Sequence, residues 1–390
     1  MYRQLSDPIK ELVGESRKIL VLVGGRQTGK TTMLKSAFPE AVYINLEKSN
    51  YIDVFNSRDL ERIRSVIKQE DKNKGKLLIL DEVQRLEDPG MVAKLIYDEI
   101  TEVKLVISGS SSLEIANKAS ESLAGRKKLV ELFPLSMQEK LVQMEKADVT
   151  KNKPVLVLPD NSKGRFVFKD EILESMRYGM YPELLNIQDK ESYLLELADS
   201  TILKDIFYLN LIKSTKNLQS LLRLLAYQIG QQVNITDLAN RIGITRPTVM
   251  EYIDILKKTY IIYTLAPFTK KRRDEIGKTE KVYFWDLGIR NAIINDFSPV
   301  EYRRDYGSIF ENFAITELIK LNKYNNLRYV FYYWRTKWGS EVDLIMQKDQ
   351  ELIASEIKSR IGTVTGAFMN TYPDSLSQVI TIENISQLLL

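Results

Sequence analysis

Short apolar runs alternate with helical patterns through the first 140 residues. The runs are Ile19–Val23, Ala41–Ile44, Leu77–Leu80, Lys104–Ile107 and Lys128–Leu132. Buried strands separated by amphipathic helices predict a parallel sheet of the α/β class. Between Glu145 and Asp170 the pattern breaks into polar, Lys- and Pro-bearing sequence. From Glu171 to Lys257 the spacing is mostly helical, with apolar positions recurring through Leu194–Leu211 and Leu218–Ile229. A further unit opens near Pro299, with a helix at Ser308–Leu321 and strands at Leu327–Arg335, Glu341–Met346 and Leu352–Lys358. The expected division is an α/β domain at 1–144, an insertion or linker at 145–190, a helical region at 191–298 and a small α/β domain at 299–390.

Composition narrows the chemistry. Among 390 residues there is no Cys and no His. A thiol nucleophile, a thiolate zinc site, a Ser-His-Asp triad and an imidazole base are all excluded. Any metal must be a hard cation held by oxygen, which points to Mg²⁺ or Mn²⁺. Lys plus Arg number 56 against 52 Asp plus Glu, a net charge of +4 that is too mild to demand a polyanion partner. No stretch approaches the roughly 18 apolar residues needed to span a bilayer. Met1 to Lys10 has no apolar signal segment. The expectation is a cytoplasmic protein with no membrane partner.

The first apolar run is followed by Gly24-Gly25-Arg26-Gln27-Thr28-Gly29-Lys30-Thr31, a complete G-x-x-x-x-G-K-[ST] match. The glycines let backbone N–H groups curl around phosphates, and the helix starting near Lys30 adds its positive end. These eight residues and Thr32 are the expected ATP contacts. Lys30 reaches the β- and γ-phosphates, and the Thr31 hydroxyl ligates Mg²⁺. The run Leu77–Leu80 ends in Asp81-Glu82, where parallel sheets bind ligands. Asp81 is expected in the Mg²⁺ shell, with Glu82 polarising the attacking water. A further strand, Lys104–Ile107, ends in Ser108-Gly109-Ser110-Ser111-Ser112. It is expected between the Asp81 strand and the phosphate-loop strand, with Ser108 as γ-phosphate sensor and Ser110 close behind.

These motifs, followed by Leu123-Ala124-Gly125-Arg126 and Phe133-Pro134-Leu135-Ser136, resemble the archaeal and bacterial AAA-type ATPases fused to a winged helix and a nuclease-like C-terminal domain. The resemblance implies an AAA+ P-loop ATPase domain, then a helical, winged-helix domain, then a small α/β restriction-endonuclease-like domain. It also makes Arg126 a transition-state arginine, acting in cis or from a neighbouring subunit of a homo-oligomer.

Thr236–Arg241, Ile242-Gly243-Ile244 and a helix from Thr245-Arg246-Pro247 to about Lys257 read as a helix-turn-helix. Thr245 suits its cap and Pro247 its first turn. Leu238, Ile242, Val249, Ile253 and Leu256 form the expected seam. Tyr260–Leu265 and Lys281–Trp285 read as wing strands, joined through Lys270-Lys271-Arg272-Arg273. Residues 201–300 carry 15 Lys and Arg against 9 Asp and Glu. The expected DNA contacts are Arg246 and Thr248 on the second helix and Lys270, Lys271, Arg272 and Arg273 on the wing. Glu251 and Asp254 set negative charge on the same helix.

In the last unit Gln347–Glu351 makes a hairpin that brings Asp343 beside Glu356, with Lys358 on the face of Glu356 and Ile357 in the core. Glu311 lies on the preceding helix. Two carboxylates, a lysine and a helical glutamate form a hard-cation site able to activate water against a phosphodiester. The arrangement resembles the PD-(D/E)xK nuclease core of helix, three strands, helix and strand. By that resemblance Asp343 and Glu356 ligate Mg²⁺ or Mn²⁺, Glu311 is an auxiliary ligand, and Lys358 orients water or stabilises charge. Val342 stands where that pattern has Pro. Tyr332, Tyr333, Trp334, Arg335 and Lys337 lie nearby for nucleic acid, with Tyr332 or Tyr333 in the core. The expected function is ATP-driven DNA processing. The alternative is an ATP-dependent switch with an inactive C-terminal domain.

Overall fold

The computed structural model describes residues 1–71, 75–110, 123–148, 156–159, 168–208, 214–269, 279–359 and 363–389, without the side chains of 200–208. The chain divides into two compact units.

The first unit comprises 1–134 with 258–260. Its strands are β1 (Ile19–Val23), β2 (Val42–Asn45), β3 (Leu77–Asp81), β4 (Lys104–Gly109) and β5 (Lys127–Glu131). All pair in parallel, in the order β2-β3-β4-β1-β5. The three central strands are almost wholly buried, which explains their unbroken apolar sequence: a parallel strand covered by helices on both faces has no solvent side. As expected, β4 lies between β3 and β1. Leu20 stands beside Val106, and Ile79 beside Val106 on the other flank. Two of the helices between the strands start at side-chain caps. Asp59 accepts from Glu61 and Arg62 N–H groups before Leu60–Glu70, and Asp88 from Met91 before Pro89–Glu99.

The second unit comprises 135–257 with 261–390. Its six-stranded sheet is built from β6 (Ile262–Pro267), β7 (Lys281–Phe284), β8 (Val330–Arg335), β9 (Glu341–Lys348), β10 (Glu351–Ile357) and β11 (Leu376–Ile380), in the order β11-β10-β9-β8-β6-β7. The helix Tyr306–Tyr324 is buried along nearly all its length. Phe268, Tyr332, Trp334, Val342, Ile345, Ala354 and Phe368 form one cluster of the core. The helix-turn-helix is present as Ile235–Ile242 and Arg246–Lys258, with Gly243 at φ 79° ending the first helix. Leu238, Val249 and Leu256 are fully buried in its seam, joined by Tyr252 and Ile255, whereas Ile242 and Ile253 are only half-buried. β6 and β7 form an antiparallel pair after it, and Gln232 adds a bridge to Lys281.

Within the expected insertion or linker at 145–190, Lys169–Tyr178 is a helix burying Ile172, Ser175 and Met176, in keeping with the helical spacing read from Glu171. No break in hydrogen bonding falls at 298/299, because β6 pairs with β8 through Ala266 and Tyr332. One sheet therefore crosses the expected boundary, for a hairpin edge left unpaired would expose its N–H and C=O groups. Trp334 is buried with Tyr332 and Tyr333, so none of the three is an exposed aromatic. That character belongs to Trp338, 95% exposed in the turn between β8 and β9. Among the described residues no helix is long and apolar enough to cross a membrane.

The second unit also buries an ion pair. Lys320 Nζ donates to Glu317 Oε1 and to the Leu135 carbonyl, both at 2.8 Å, and Glu317 Oε2 accepts the Met137 N–H at 2.7 Å. Both side chains are at most 2% exposed. Removing one partner leaves an uncompensated buried charge. Lys320→Met should therefore cost about 3–5 kcal/mol, read as a lower urea midpoint at unchanged slope. A midpoint equal to that of the parent protein would show the pair to be dispensable.

Candidate functional site

The phosphate loop sits between the end of β1 and the helix Lys30–Ala37. A Cβ on Gly24 would stand 2.1 Å from the Leu132 carbonyl oxygen, so the loop can leave the sheet here only without a side chain. Thr28 Oγ1 donates to the Gly25 carbonyl at 2.9 Å, closing the loop on itself. Lys30 Nζ donates to the Gly24 and Gly25 carbonyls at 2.8 and 2.7 Å, where it waits beside the loop's cavity. Gln27 takes φ 55°, and Thr32 is exposed.

Asp81 is 1% exposed and collects hydroxyl donors from one helix and two strands. Thr31 Oγ1 donates to its Oδ2 at 2.6 Å, Tyr43 from β2 donates to the same oxygen, and Ser108 from β4 donates to Oδ1. The pairing of Thr31 with Asp81 is the donor set an Mg²⁺–phosphate shell uses, and it fits that ion. Tyr43 carries no motif, and sequence reasoning missed it. Burial, with Asp81 accepting its proton, holds the phenol well above its ordinary pKa, so it stays a donor. The other missed residue is Arg3, buried and donating to the Thr28 carbonyl at 3.0 Å and the Phe133 carbonyl at 2.7 Å.

Glu82 follows in the left-handed region at φ 59°, a conformation a β-carbon disfavours. Gln84 Nε2 donates to its Oε2 and, at 3.0 Å, to Ser110 Oγ. Burial raises the Glu82 pKa, with Lys30 pulling the other way and Asp81 adding to the rise. Arg126 needs correction for the cis role. The Ile19 N–H donates to its carbonyl, so it stands where β1 begins, at the opposite end of the sheet from the phosphate loop. Its guanidinium is 3.3 Å from Asp98. Within one chain it does not meet the phosphate site.

The second constellation lies in the second unit. β9 and β10 pair in register Leu344–Ser355, which brings Asp343 and Glu356 together at the ladder's end. The Ile357 N–H donates to Asp343 Oδ2 at 2.8 Å, and Lys358 Nζ stands 3.1 Å from that oxygen and 2.7 Å from Glu356 Oε1. Glu356 Oε2 is buried and, among the described residues, has no hydrogen-bond partner. Burial and the neighbouring Asp343 raise the Glu356 pKa against the pull of Lys358. An orphaned buried carboxylate oxygen beside Asp343 fits a hard cation.

Glu311 is brought to this region, engaged by Tyr283 and Lys281. Its Oε1 accepts the Tyr283 hydroxyl at 2.6 Å and faces Lys281 Nζ at 3.1 Å. Burial pushes its pKa up to about 7, opposed by Lys281 and supported by Asp343. Lys281 also pairs with Glu341 Oε1 at 2.5 Å. Among the described residues no three acidic side chains converge closely enough to hold an ion by themselves. Glu341 and Lys281 were missed by sequence reasoning. The i, i+2 spacing of Glu341 and Asp343 on one strand face was the available signal for the first.

Of the expected DNA contacts, Arg246 is exposed, while the Thr248 hydroxyl is 2.8 Å from that of its cap residue Thr245. Lys270, Lys271, Arg272 and Arg273 lie outside the described residues, as do Ser111 and Ser112.

Residues 16–141 match the AAA domain family. Residues 169–299 and 306–379 match two families described as domains of unknown function, DUF8612 and DUF4143. An uncharacterized protein of Mycobacterium tuberculosis is 24% identical over 345 residues, covering 87% of this chain and 70% of its own. One of Haemophilus influenzae is 24% identical over 319 residues, covering 77% and 74%. One of Methanocaldococcus jannaschii is 22% identical over 325 residues, covering 78% and 68%. Among solved structures, the Walker-type ATPase of Pyrococcus abyssi aligns at 15% identity and TM-score 0.47, covering 75% of this chain and 95% of that one. The matched family and the phosphate-loop geometry make residues 16–141 a P-loop ATPase domain of the AAA type.

The hydroxyls around Asp81 are testable by stability alone. Tyr43→Phe leaves a buried carboxylate one donor short and should cost about 1–2 kcal/mol in urea unfolding. Thr32→Ala, exposed on the helix after the phosphate loop, should stay within about 0.5 kcal/mol. Equal costs would show that the Tyr43 hydroxyl contributes no stability.

Proposed function

We propose that the chain is an ATP-hydrolysing, nucleic-acid-processing protein whose C-terminal region cleaves phosphodiesters with a divalent metal. The observation that carries the second half is the junction of Asp343, Glu356 and Lys358, with Glu356 Oε2 buried and unpartnered. The order helix, three strands, helix, strand over 306–380 supports a PD-(D/E)xK-like reading of the same residues. Asp343 and Glu356 would hold Mg²⁺ or Mn²⁺, which supplies charge stabilisation and an activated water when bound. Lys358 holds both carboxylates in place and presents its charge to the attacked phosphate.

In the ATPase domain, Lys30 and the loop N–H groups bind the phosphates, and Thr31 with Asp81 would hold Mg²⁺. Glu82 takes the proton of the attacking water, and Ser108 ties Asp81 to the strand facing the γ-phosphate. Arg126 acts on a neighbouring subunit's nucleotide, which makes the ATPase a homo-oligomer. The helix-turn-helix with its β6–β7 pair supports a winged helix that binds DNA through Arg246 and the basic segment 270–273. A second reading, an ATP-dependent switch with an inactive C-terminal domain, is favoured by the ion pairs that engage Asp343 and Glu356.

Glu82→Gln should keep nucleotide binding and lose about 10²–10⁴ in ATP turnover, the scale of a general base. Because burial raises the Glu82 pKa, its active ionised form is lost on acidification above the usual carboxylate range. The acid limb of the turnover profile should sit there, and should vanish in Glu82→Gln. Turnover unaltered by the substitution would exclude Glu82 as the base.

Asp343→Asn should abolish nicking of single-stranded or duplex DNA by Mg²⁺ or Mn²⁺ while ATP hydrolysis continues. Purified protein that cuts no DNA or RNA with either ion, with or without ATP, would give the switch reading first place.

A further inference from the structure

Four carboxylates lie in two ion-paired groups around the β7, β9 and β10 ends, Glu311 with Glu341 and Asp343 with Glu356, and among the described residues no three of them converge. Their cations divide unequally. Lys358 serves Asp343 and Glu356 from a half-exposed position, with 43% of its side chain in solvent. Lys281 serves Glu311 and Glu341 from inside, with 4% exposed. Arg335 adds a more distant contact, 3.6 Å from Glu341 Oε2. Carboxylates taken out of water need a compensating cation, and removing it is costly. The backbone that carries Lys281 is held on both sides. It pairs with Leu265 across the β6–β7 ladder and with Gln232 in a bridge, and the neighbouring Val282 N–H donates to the Gln231 carbonyl at 3.2 Å.

We infer that Lys281 is the resident cation of this cluster, filling for Glu311 and Glu341 the place of a second divalent ion, so that the site takes one ion, at Asp343 and Glu356. The inference rests on the metal-site reading of Asp343 and Glu356. A tethered ammonium has an effective concentration that a dissolved ion must overcome before it gains two ligands. A hard divalent ion also needs about six oxygens, and Glu311 Oε1 and Glu341 Oε1 are already engaged. The orphan Oε2 of Glu356 is the oxygen left open. The cluster also joins the two matched segments of unknown function. Lys281 lies in the 169–299 segment and all four carboxylates in the 306–379 segment, so neither alone carries the charge-balanced site.

Mn²⁺ bound per full chain, counted by electron paramagnetic resonance without nucleotide and in an Asp81→Asn background, tests this. The parent should bind one ion and lose it in Glu356→Gln. Lys281→Met should gain a second ion that survives Glu356→Gln, and Lys281→Arg should stay at one. A count in Lys281→Met equal to the parent's, or two ions in the parent, would overturn the inference. A parent that binds none, while Lys281→Met binds one, would uphold the resident cation and overturn the one-metal reading instead. Should Lys281→Met need a cation to fold, its melting midpoint should rise with added Mn²⁺ by at least about 2 °C more than the parent's, on the scale of one kcal/mol. A rise no larger than the parent's would count against the inference.

Discussion

The cost of burying a carboxylate at the end of an apolar strand organises both units of this protein. Asp81 closes β3 and is 1% exposed; Asp343 lies in β9 and is 6% exposed. A charged group so placed persists only where donors or cations converge on it. In the first unit three hydroxyls answer that demand, from Thr31, Tyr43 and Ser108. In the second, the answer is a backbone N–H and a lysine. The difference has chemical consequences. Neutral hydroxyls leave the Asp81 charge intact for a phosphate-bound cation, whereas ammonium groups already supply cations to Asp343 and its neighbours.

The strand order makes the first arrangement possible. With β4 between β3 and β1, the polar end of β4 stands beside Asp81, and the loop after β1 lies one strand further on. Tyr43 enters from the other flank because β2 pairs with β3 in the register Asn45–Asp81. Glu82 is then carried into the left-handed region immediately after the strand, with Gln84 tying it to Ser110. Strained backbone of this kind is held by its surroundings, and here the surroundings are the two strands that grip Asp81.

In the second unit the decisive element is β7. Its Lys281 and Tyr283 both turn to Glu311, and Lys281 reaches Glu341 as well. Asn312, next along the helix, accepts the Phe284 N–H at 2.7 Å and donates to its carbonyl at 2.8 Å, satisfying the backbone of an edge strand. The helix-turn-helix hairpin and the carboxylate strands thus belong to one hydrogen-bonded sheet.

Local sequence was enough for the phosphate loop, the Asp81-Glu82 strand end, the serine-bearing β4 and the β9–β10 hairpin. Each rests on short-range spacing: a glycine loop between strand and helix, period-two alternation, and a tight polar turn. It was not enough for Tyr43, Arg3, Lys281 or Glu341, whose partners lie 38, 25, 30 and 60 positions away. For Arg126 the sequence left cis and neighbouring-subunit roles open, because a motif's order does not say which end of a strand it occupies. The strand pairing across 298/299 was out of reach for a related reason. A change in local pattern marks where one element stops, whereas pairing of β6 with β8 depends on an edge seeking its partner across 66 residues, from Ala266 to Tyr332. Spacing along the chain carries the chemistry of single elements; only the folded sheet decides which charges must share one dry space.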